Sequence, residues 1–330
     1  MARRLQIGIV GCGGIARAHL EAYRRADAAV TLVYDTVSAA AETFAAEAGA
    51  DLAASPEAMA AGGILDAVSI CTPPAAHDAN CRPFLQAGIP ILCEKPLAAE
   101  AQGAGRLAAA VRRSRAIFMV AFCHRFHPPI VKLQRLIKAG VLGQPLLFRN
   151  IFCGFHDIRG NHRAVKRLAG GGAMIDNSSH SVDLFRFLVG EPTAVAAMTG
   201  NLVQKIEVED FSLLQLDMGG RAFGEITAGY SLKGGGAWVE WYGTKGRALV
   251  NYGNPGHPEL SYRPDRNSDE VAVDCGDLPQ RFPAQIMHFL ECVQARRQPA
   301  VTVADGLKAS RILAAAYRSA AAGRRIGLRL

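Results

Sequence analysis

Leu5-Gln-Ile-Gly-Ile-Val-Gly-Cys-Gly-Gly-Ile-Ala16 decides the fold of this chain. A short β-branched run passes straight into a glycine turn, and a helix-compatible segment follows. Gly11, Gly13 and Ala16 fit G-x-G-x-x-G/A, the pattern of a turn that holds a dinucleotide. Gly11 allows the tight turn, Gly13 lets a pyrophosphate approach the backbone, and Ala16 keeps the helix close to the strand. The helix N-terminus then aims unpaired amides and a partial positive charge at the phosphates. Cys12, Gly14 and Ile15 complete the turn and are candidate cofactor contacts with Gly11 and Gly13.

Glycine turns are common, so the surroundings carry much of the argument. A second apolar run, Val30-Thr-Leu-Val-Tyr34, ends at Asp35, about the twenty-odd residues downstream where a carboxylate meets the adenine ribose. An acid there accepts hydrogen bonds from both ribose hydroxyls and repels a 2′-phosphate. No arginine follows in Asp35-Thr-Val-Ser38 to welcome that phosphate, so NAD is expected rather than NADP. A strand-ending aspartate that only caps the next helix reads the same in sequence.

The totals set the frame. At 330 residues the chain suggests two domains, and with 50% hydrophobic and 20% charged residues it can bury a substantial core. No uncharged apolar run reaches the roughly 18–20 residues that span a bilayer. Arg3-Arg4 precedes an apolar stretch as in an export signal, yet cleavage there would destroy the first strand. A cytoplasmic protein without a membrane partner is expected. The eight cysteines form no C-x-x-C or Cys/His cluster, and several sit in apolar runs, as at Ser69-Ile-Cys71. Buried free thiols and no metal site follow from that usage. The net charge of +8 is scattered over pairs such as Arg24-Arg25, Arg112-Arg113, Arg296-Arg297 and Arg324-Arg325. Aromatic residues are not interleaved with them as a stacking platform requires, so nucleic acid is not an expected partner.

Apolar runs at 5–10, 30–34, 67–71 and 90–93 alternate with alanine-rich helical stretches such as 38–48 and 76–87. That alternation argues a parallel, helix-covered sheet, closed by a strand at 116–122 after a helix at 100–114. Beyond residue 123 the texture changes. His127-Pro-Pro129 breaks the chain and 130–139 reads as an amphipathic helix. Segments 145–153, 193–199, 210–217, 221–229, 236–242 and 246–252 alternate as strands. Turns at Met218-Gly-Gly220 and Tyr242-Gly-Thr-Lys-Gly246 suggest antiparallel hairpins. Helices at 282–297 and 304–322 end the chain. The expected fold is an α/β domain, a doubly wound parallel sheet, followed by an α+β domain.

Three constellations can carry chemistry. Glu94-Lys95-Pro96 follows an apolar run, and strand carboxyl ends form the ligand crevice of a doubly wound sheet. A lysine there can polarise a substrate oxygen and stabilise an alkoxide. A surface turn would give the same tripeptide. Gly170-Gly-Gly-Ala-Met-Ile-Asp176-Asn-Ser-Ser-His180 suggests a helix starting near Gly172, which puts Asp176 and His180 on one face with Asp183 a step further along. A carboxylate beside an imidazole fixes its tautomer and suits a general base. A helix N-terminal aspartate with an incidental histidine is the plainer alternative. Cys71-Thr72-Pro73-Pro74-Ala-Ala-His77 ends another strand, where Thr72, Pro73 and His77 are candidate contacts for the nicotinamide half. A simple strand-to-helix turn fits that segment nearly as well.

In this order the pieces resemble the glucose–fructose oxidoreductase / inositol dehydrogenase (Gfo/Idh/MocA) family of NAD(P)-dependent oxidoreductases. The resemblance runs over nearly the whole chain, from Gly11-Cys-Gly-Gly-Ile-Ala16 through Cys71-Thr-Pro73, Glu94-Lys-Pro96 and Arg125-Phe126 to Gly171-Gly-Ala-Met-Ile-Asp176 and His180. It implies a Rossmann domain over 1–122 and a substrate-binding and oligomerisation domain over 123–330. The second would hold an open, mainly antiparallel sheet with helices on one face. The last helix, about 304–322, is a candidate to pack back on the first domain. The resemblance further implies a homodimer or homotetramer and a cis Lys95–Pro96 bond. Residue by residue, Lys95 matches the catalytic lysine, and Asp176 and His180 match the acidic and histidine members of the active site. Glu94, Lys95 and Arg125 join the expected cofactor contacts, and His156, Arg163 and Asn177 are candidate substrate contacts. One departure is Arg159-Gly-Asn-His-Arg163-Ala-Val-Lys166-Arg167, where many relatives carry a tryptophan. Its cations could receive a substrate carboxylate or phosphate, although a solvated loop or subunit contact is the simpler reading. The activity so implied is hydride transfer between NAD and a secondary alcohol of a sugar, cyclitol or related polyol. The alternatives are reduction of a keto-sugar or imine in the reverse direction, and a non-catalytic sensor of NAD and sugar.

Overall fold

A computed structural model of the chain describes residues 3–114, 116–276 and 278–330. It divides into two compact units, the residues up to Cys123 with Pro279–Leu307, and His124–Leu278 with Lys308–Leu330.

The first unit alternates β1 (Gln6–Val10), α1 (Gly14–Arg25), β2 (Ala29–Tyr34), α2 (Ser38–Ala48), β3 (Asp51–Leu52), α3 (Pro56–Ala61), β4 (Ala67–Ile70), α4 (His77–Ala87), β5 (Ile91–Cys93), α5 (Ala101–Ser114) and β6 (Phe118–Val120). The strands form one parallel sheet in the order β3-β2-β1-β4-β5-β6. Every residue of β4, β5 and β6 is buried, as expected of strands covered on both faces. The strand order reverses between β1 and β4, and such a switch point opens a crevice at the strand carboxyl ends. Gly11 and Cys71 follow those two ends directly, so the sequence motifs flank the crevice. Helix α1 buries Ala16, His19, Leu20, Ala22 and Tyr23 on one face and ends on Arg24 and Arg25, which complement its dipole. The helix Arg281–Gln294 packs on α1 and so brings a C-terminal segment into this unit.

The second unit contains α6 (Pro128–Lys138), β7 (Pro145–Cys153), α7 (Lys166–Ala169), α8 (Ala173–Leu188), β8 (Ala194–Gly200), β9 (Phe211–Asp217), β10 (Phe223–Gly229), β11 (Ala237–Gly243), β12 (Arg247–Asn251), β13 (Leu260–Arg263) and β14 (Val271–Ala272). After the helix Arg281–Gln294 (α9) come α10 (Val303–Ala322), whose larger part belongs here, and β15 (Ile326–Gly327). Nine strands form an open sheet in the order β14-β13-β12-β11-β7-β10-β9-β8-β15. The hairpins β9–β10 and β11–β12 are antiparallel, and among the described strands of this sheet only β7 and β10 pair in parallel. Helix α8 lies on β7, β9 and β10. It sits close because Gly224 offers no side chain: a Cβ there would stand 2.7 Å from the Phe185 ring. Phe148 packs edge-on against Phe185, and the buried Trp241 donates its indole N–H to the Leu188 carbonyl at 3.2 Å. Met198 and Phe223 remain exposed on the sheet.

Among the described residues all eight cysteines are free and buried. No described helix is long and apolar enough to cross a membrane.

Candidate active site

The glycine turn has the shape its sequence requires. Gly11 adopts φ +92°, and a Cβ added there would stand 2.7 Å from the Cys71 carbonyl carbon and the Thr72 nitrogen. Only glycine fits. Added Cβ atoms at Gly13 and Gly14 would meet nothing within 4 Å, and both residues are exposed. Helix α1 starts at Gly14 with no side-chain cap and no acidic residue in its first turn. Its leading amides are therefore offered to an anion, the arrangement a pyrophosphate needs. Asp35 accepts from the Cys12 N–H and the Val37 N–H, each at 2.8 Å, which fixes its carboxylate beside the turn. It is not the cap of α2, whose N-cap is Val37. Ala16 is buried against the sheet and Ile15 half-buried.

Across the switch point, the Thr72 carbonyl accepts from His77 Nε2 at 2.9 Å, and Thr72 Oγ1 from Asn80 at 3.4 Å. His77 is fully buried, and burial pulls its pKa down, so a neutral imidazole braces the turn from behind. Pro73 leads into the short turn Pro74–Ala76 ahead of α4.

Lys95 follows β5, and the Lys95–Pro96 bond is cis. The Glu94 carboxylate is buried, and its Oε2 accepts from the Lys95 N–H at 3.2 Å. Its other oxygen meets His19 Nε2 at 2.9 Å, while His19 Nδ1 meets the Ser69 hydroxyl at 3.0 Å and Tyr23 the same hydroxyl at 2.8 Å. His19 was not among the residues singled out in sequence; spacing along α1 marks it only as a core position. Burial alone would lower its pKa, but the Cys71 sulfur and the Glu94 carboxylate outweigh burial and push it up to about 10. An imidazolium–carboxylate pair is thus enclosed behind Lys95. Its contribution to stability is complete below the unfolded-state value near 6.5 and fades as pH rises toward 10. Melting temperatures of the protein and of His19→Gln, followed from pH 6 to 10, are expected to converge as alkalinity increases. Parallel curves would show that His19 is neutral throughout.

In the second unit the glycines before α8 are explained by what occupies their side-chain space. A Cβ on Gly171 would stand 1.8 Å from the Tyr317 hydroxyl, and one on Gly172 1.8 Å from the Glu209 carbonyl oxygen. Glu209 Oε1 accepts from the Gly172 and Met174 N–H groups at 2.9 and 3.0 Å and from Tyr317 at 2.8 Å. The helix is capped by a distant carboxylate rather than by its own N-cap residue. Burial raises the Glu209 pKa, and these donors offset part of that rise.

Asp176 and His180 share one face of α8, four residues apart. Asp176 Oδ2 accepts from Tyr230 at 2.7 Å and pairs with Arg163 at 3.2 Å. Burial and the Asp176 charge push the Tyr230 hydroxyl well above its usual range, so it stays a donor. Arg163 thus places one cation of the basic loop on Asp176, whereas Arg159 pairs with Asp157. The His180 ring packs edge-on against His124 at 4.4 Å, and His124 Nδ1 lies 3.1 Å from the Tyr252 hydroxyl. Tyr230, His124 and Tyr252 had no mark in the sequence, since distant segments deliver them. Arg125 holds Asp183 through two hydrogen bonds at 2.8 and 2.5 Å, both side chains nearly buried, and lies over the Phe187 ring. That clamp ties the turn at 123–126 to α8. Asn177 donates to the Phe152 carbonyl at 3.3 Å, and His156 is exposed with its N–H on the Tyr230 carbonyl.

The parallel sheet with its glycine turn and acid-ended second strand defines a dinucleotide-binding fold. Residues 5–122 match the oxidoreductase family with an NAD-binding Rossmann fold, and residues 130–249 match the GFO/IDH/MocA C-terminal domain. The chain belongs to the Gfo/Idh/MocA family. It is 28% identical to inositol 2-dehydrogenase of Rhizobium meliloti, over 98% of this chain and 99% of that one. It is 25% identical to levoglucosan dehydrogenase of Pseudarthrobacter phenanthrenivorans over 80% and 78% of the two chains. Aldose-aldose oxidoreductase from Caulobacter crescentus superposes with a TM-score of 0.89 at 24% identity, covering 99% of this chain and 100% of that one, which is a likeness of fold.

Proposed function

We propose that this protein oxidises a secondary alcohol of a sugar, cyclitol or related polyol with NAD. The observation that carries the proposal is the pair Asp176–His180 on one face of α8, with Asp176 held by Tyr230 and Arg163. NAD, held by the glycine turn and Asp35, would supply the hydride acceptor, and the protein handles the remaining proton and charge. His180 takes the hydroxyl proton. The Lys95 ammonium stabilises the oxygen as negative charge develops on it. Asp176 is already committed to Tyr230 and Arg163, so its carboxylate is fixed before substrate arrives and can orient His180 or a neighbouring hydroxyl. In the reverse direction the same groups reduce a keto-sugar, with His180 returning the proton.

Inositol and levoglucosan dehydrogenases among the relatives support a polyol or anhydrosugar as the substrate class. Asp35, locked between two backbone amides, supports NAD over NADP. The deciding experiment is a panel of cyclitols, aldoses and anhydrosugars assayed for NADH or NADPH formation at 340 nm. Turnover of at least one member with NAD, and much weaker turnover with NADP, is expected. Tight NADH binding without turnover of any member would replace this reading by that of a sensor.

A further inference from the structure

We propose that His124 and Tyr252 form a proton path serving His180, an inference that rests on the general-base role given to His180 above. A base that takes a proton in every turnover must also discharge it, and His180 is half-buried with its ring against that of His124. The His124 ring lies 4.4 Å from the His180 ring, edge to face, and ring nitrogens of the two residues come within 4.8 Å of each other. A single water would bridge a separation of that size. On its far side, His124 Nδ1 is 3.1 Å from the Tyr252 hydroxyl. Phe152 flanks both His124 and Tyr252, at 4.9 and 5.3 Å, and His127 stacks on Tyr252 at 4.6 Å. These rings pack about His124 and Tyr252.

The transfer balances as a proton relay without redox change. Protonated His180 gives its proton to the intervening water, which passes one of its own to His124. The His124 imidazolium releases Nδ1–H to the Tyr252 oxygen, and Tyr252 surrenders its phenolic proton to solvent. In the reductive direction the same file runs backward and recharges His180. Imidazole suits the middle position because it accepts at one nitrogen and donates from the other near neutral pH. Tyr252 is half-buried, and the path assigns it the solvent end.

His124→Ala is expected to lower kcat about tenfold or more in dilute buffer, with KM for NAD and for the polyol unchanged and NADH binding intact. Added imidazole is expected to restore kcat in a saturable manner, a response that a purely structural role does not give. Tyr252→Phe keeps the ring packing, removes one oxygen, and is expected to move kcat the same way. It also stands as the test should His124→Ala fold poorly. Wild-type kcat in both variants at every buffer concentration overturns the path, as does a loss that imidazole leaves untouched while NADH still binds. Full turnover in His180→Ala overturns the general-base reading and the path together. An inactive His180→Ala beside unimpaired His124→Ala and Tyr252→Phe overturns the path alone.

Discussion

Lys95→Ala is expected to lower kcat/KM for the polyol by about 10²–10³-fold, the usual effect of removing one group that stabilises developing oxyanion charge. NADH affinity, read by fluorescence, is expected to survive, because the glycine turn and Asp35 are remote in sequence from the altered side chain and keep their own hydrogen bonds. His180→Ala is expected to lose about 10²–10⁴-fold, the range for a positioned base. The informative variant is the double one. If both groups act on a single carbinol oxygen, the second substitution adds little to the first, since groups that work as a unit are strongly non-additive. Multiplicative losses would mean that the two residues serve different steps, and the proposed division of labour would then have to be abandoned.

Gly172→Ala carries the largest expected effect on stability. The added methyl would stand 1.8 Å from the Glu209 carbonyl oxygen and 2.8 Å from its carbonyl carbon, and a backbone cannot swing aside as a side chain can. Either α8 retreats from its cap or the strand-leading segment at Glu209 does. Both choices break hydrogen bonds to the Gly172, Ala173 and Met174 N–H groups. Overpacking of this kind costs about 1–3 kcal/mol, and each buried amide left unsatisfied adds about as much again. A fall in melting temperature of several degrees is expected, together with loss of turnover. Gly105→Ala is the matched control: it lies within α5, its Cβ would meet nothing within 4 Å, and replacing glycine by alanine in a helix stabilises modestly. Equal melting curves for the two variants would refute the capping account.

The fold was legible because its signals are local. Periodicity marks β1, β2, β4, β5 and the hairpins β9–β10 and β11–β12, and Gly172 announces the start of α8 by its own composition. What sequence could not supply is pairing at a distance. The parallel contact of β7 with β10 skips two strands in the chain, and the packing of α9 on α1 joins segments far apart in sequence. The same boundary runs through the candidate site. Lys95, Asp176 and His180 stand in recognisable local motifs, whereas Glu209, Tyr230, Tyr252 and Tyr317 come from unrelated segments without any pattern of their own. Arg125 shows the converse: its motif is local, but the bidentate partner that gives it a structural role, Asp183, is 58 residues away.

Tyr317 gives α8 a partner from a segment distant in sequence. Its hydroxyl fills the space that Gly171 leaves empty and holds the carboxylate that closes the start of α8. The cradle of the histidine-bearing helix is therefore a long-range construction, closed by a phenol 108 residues beyond the carboxylate it grips.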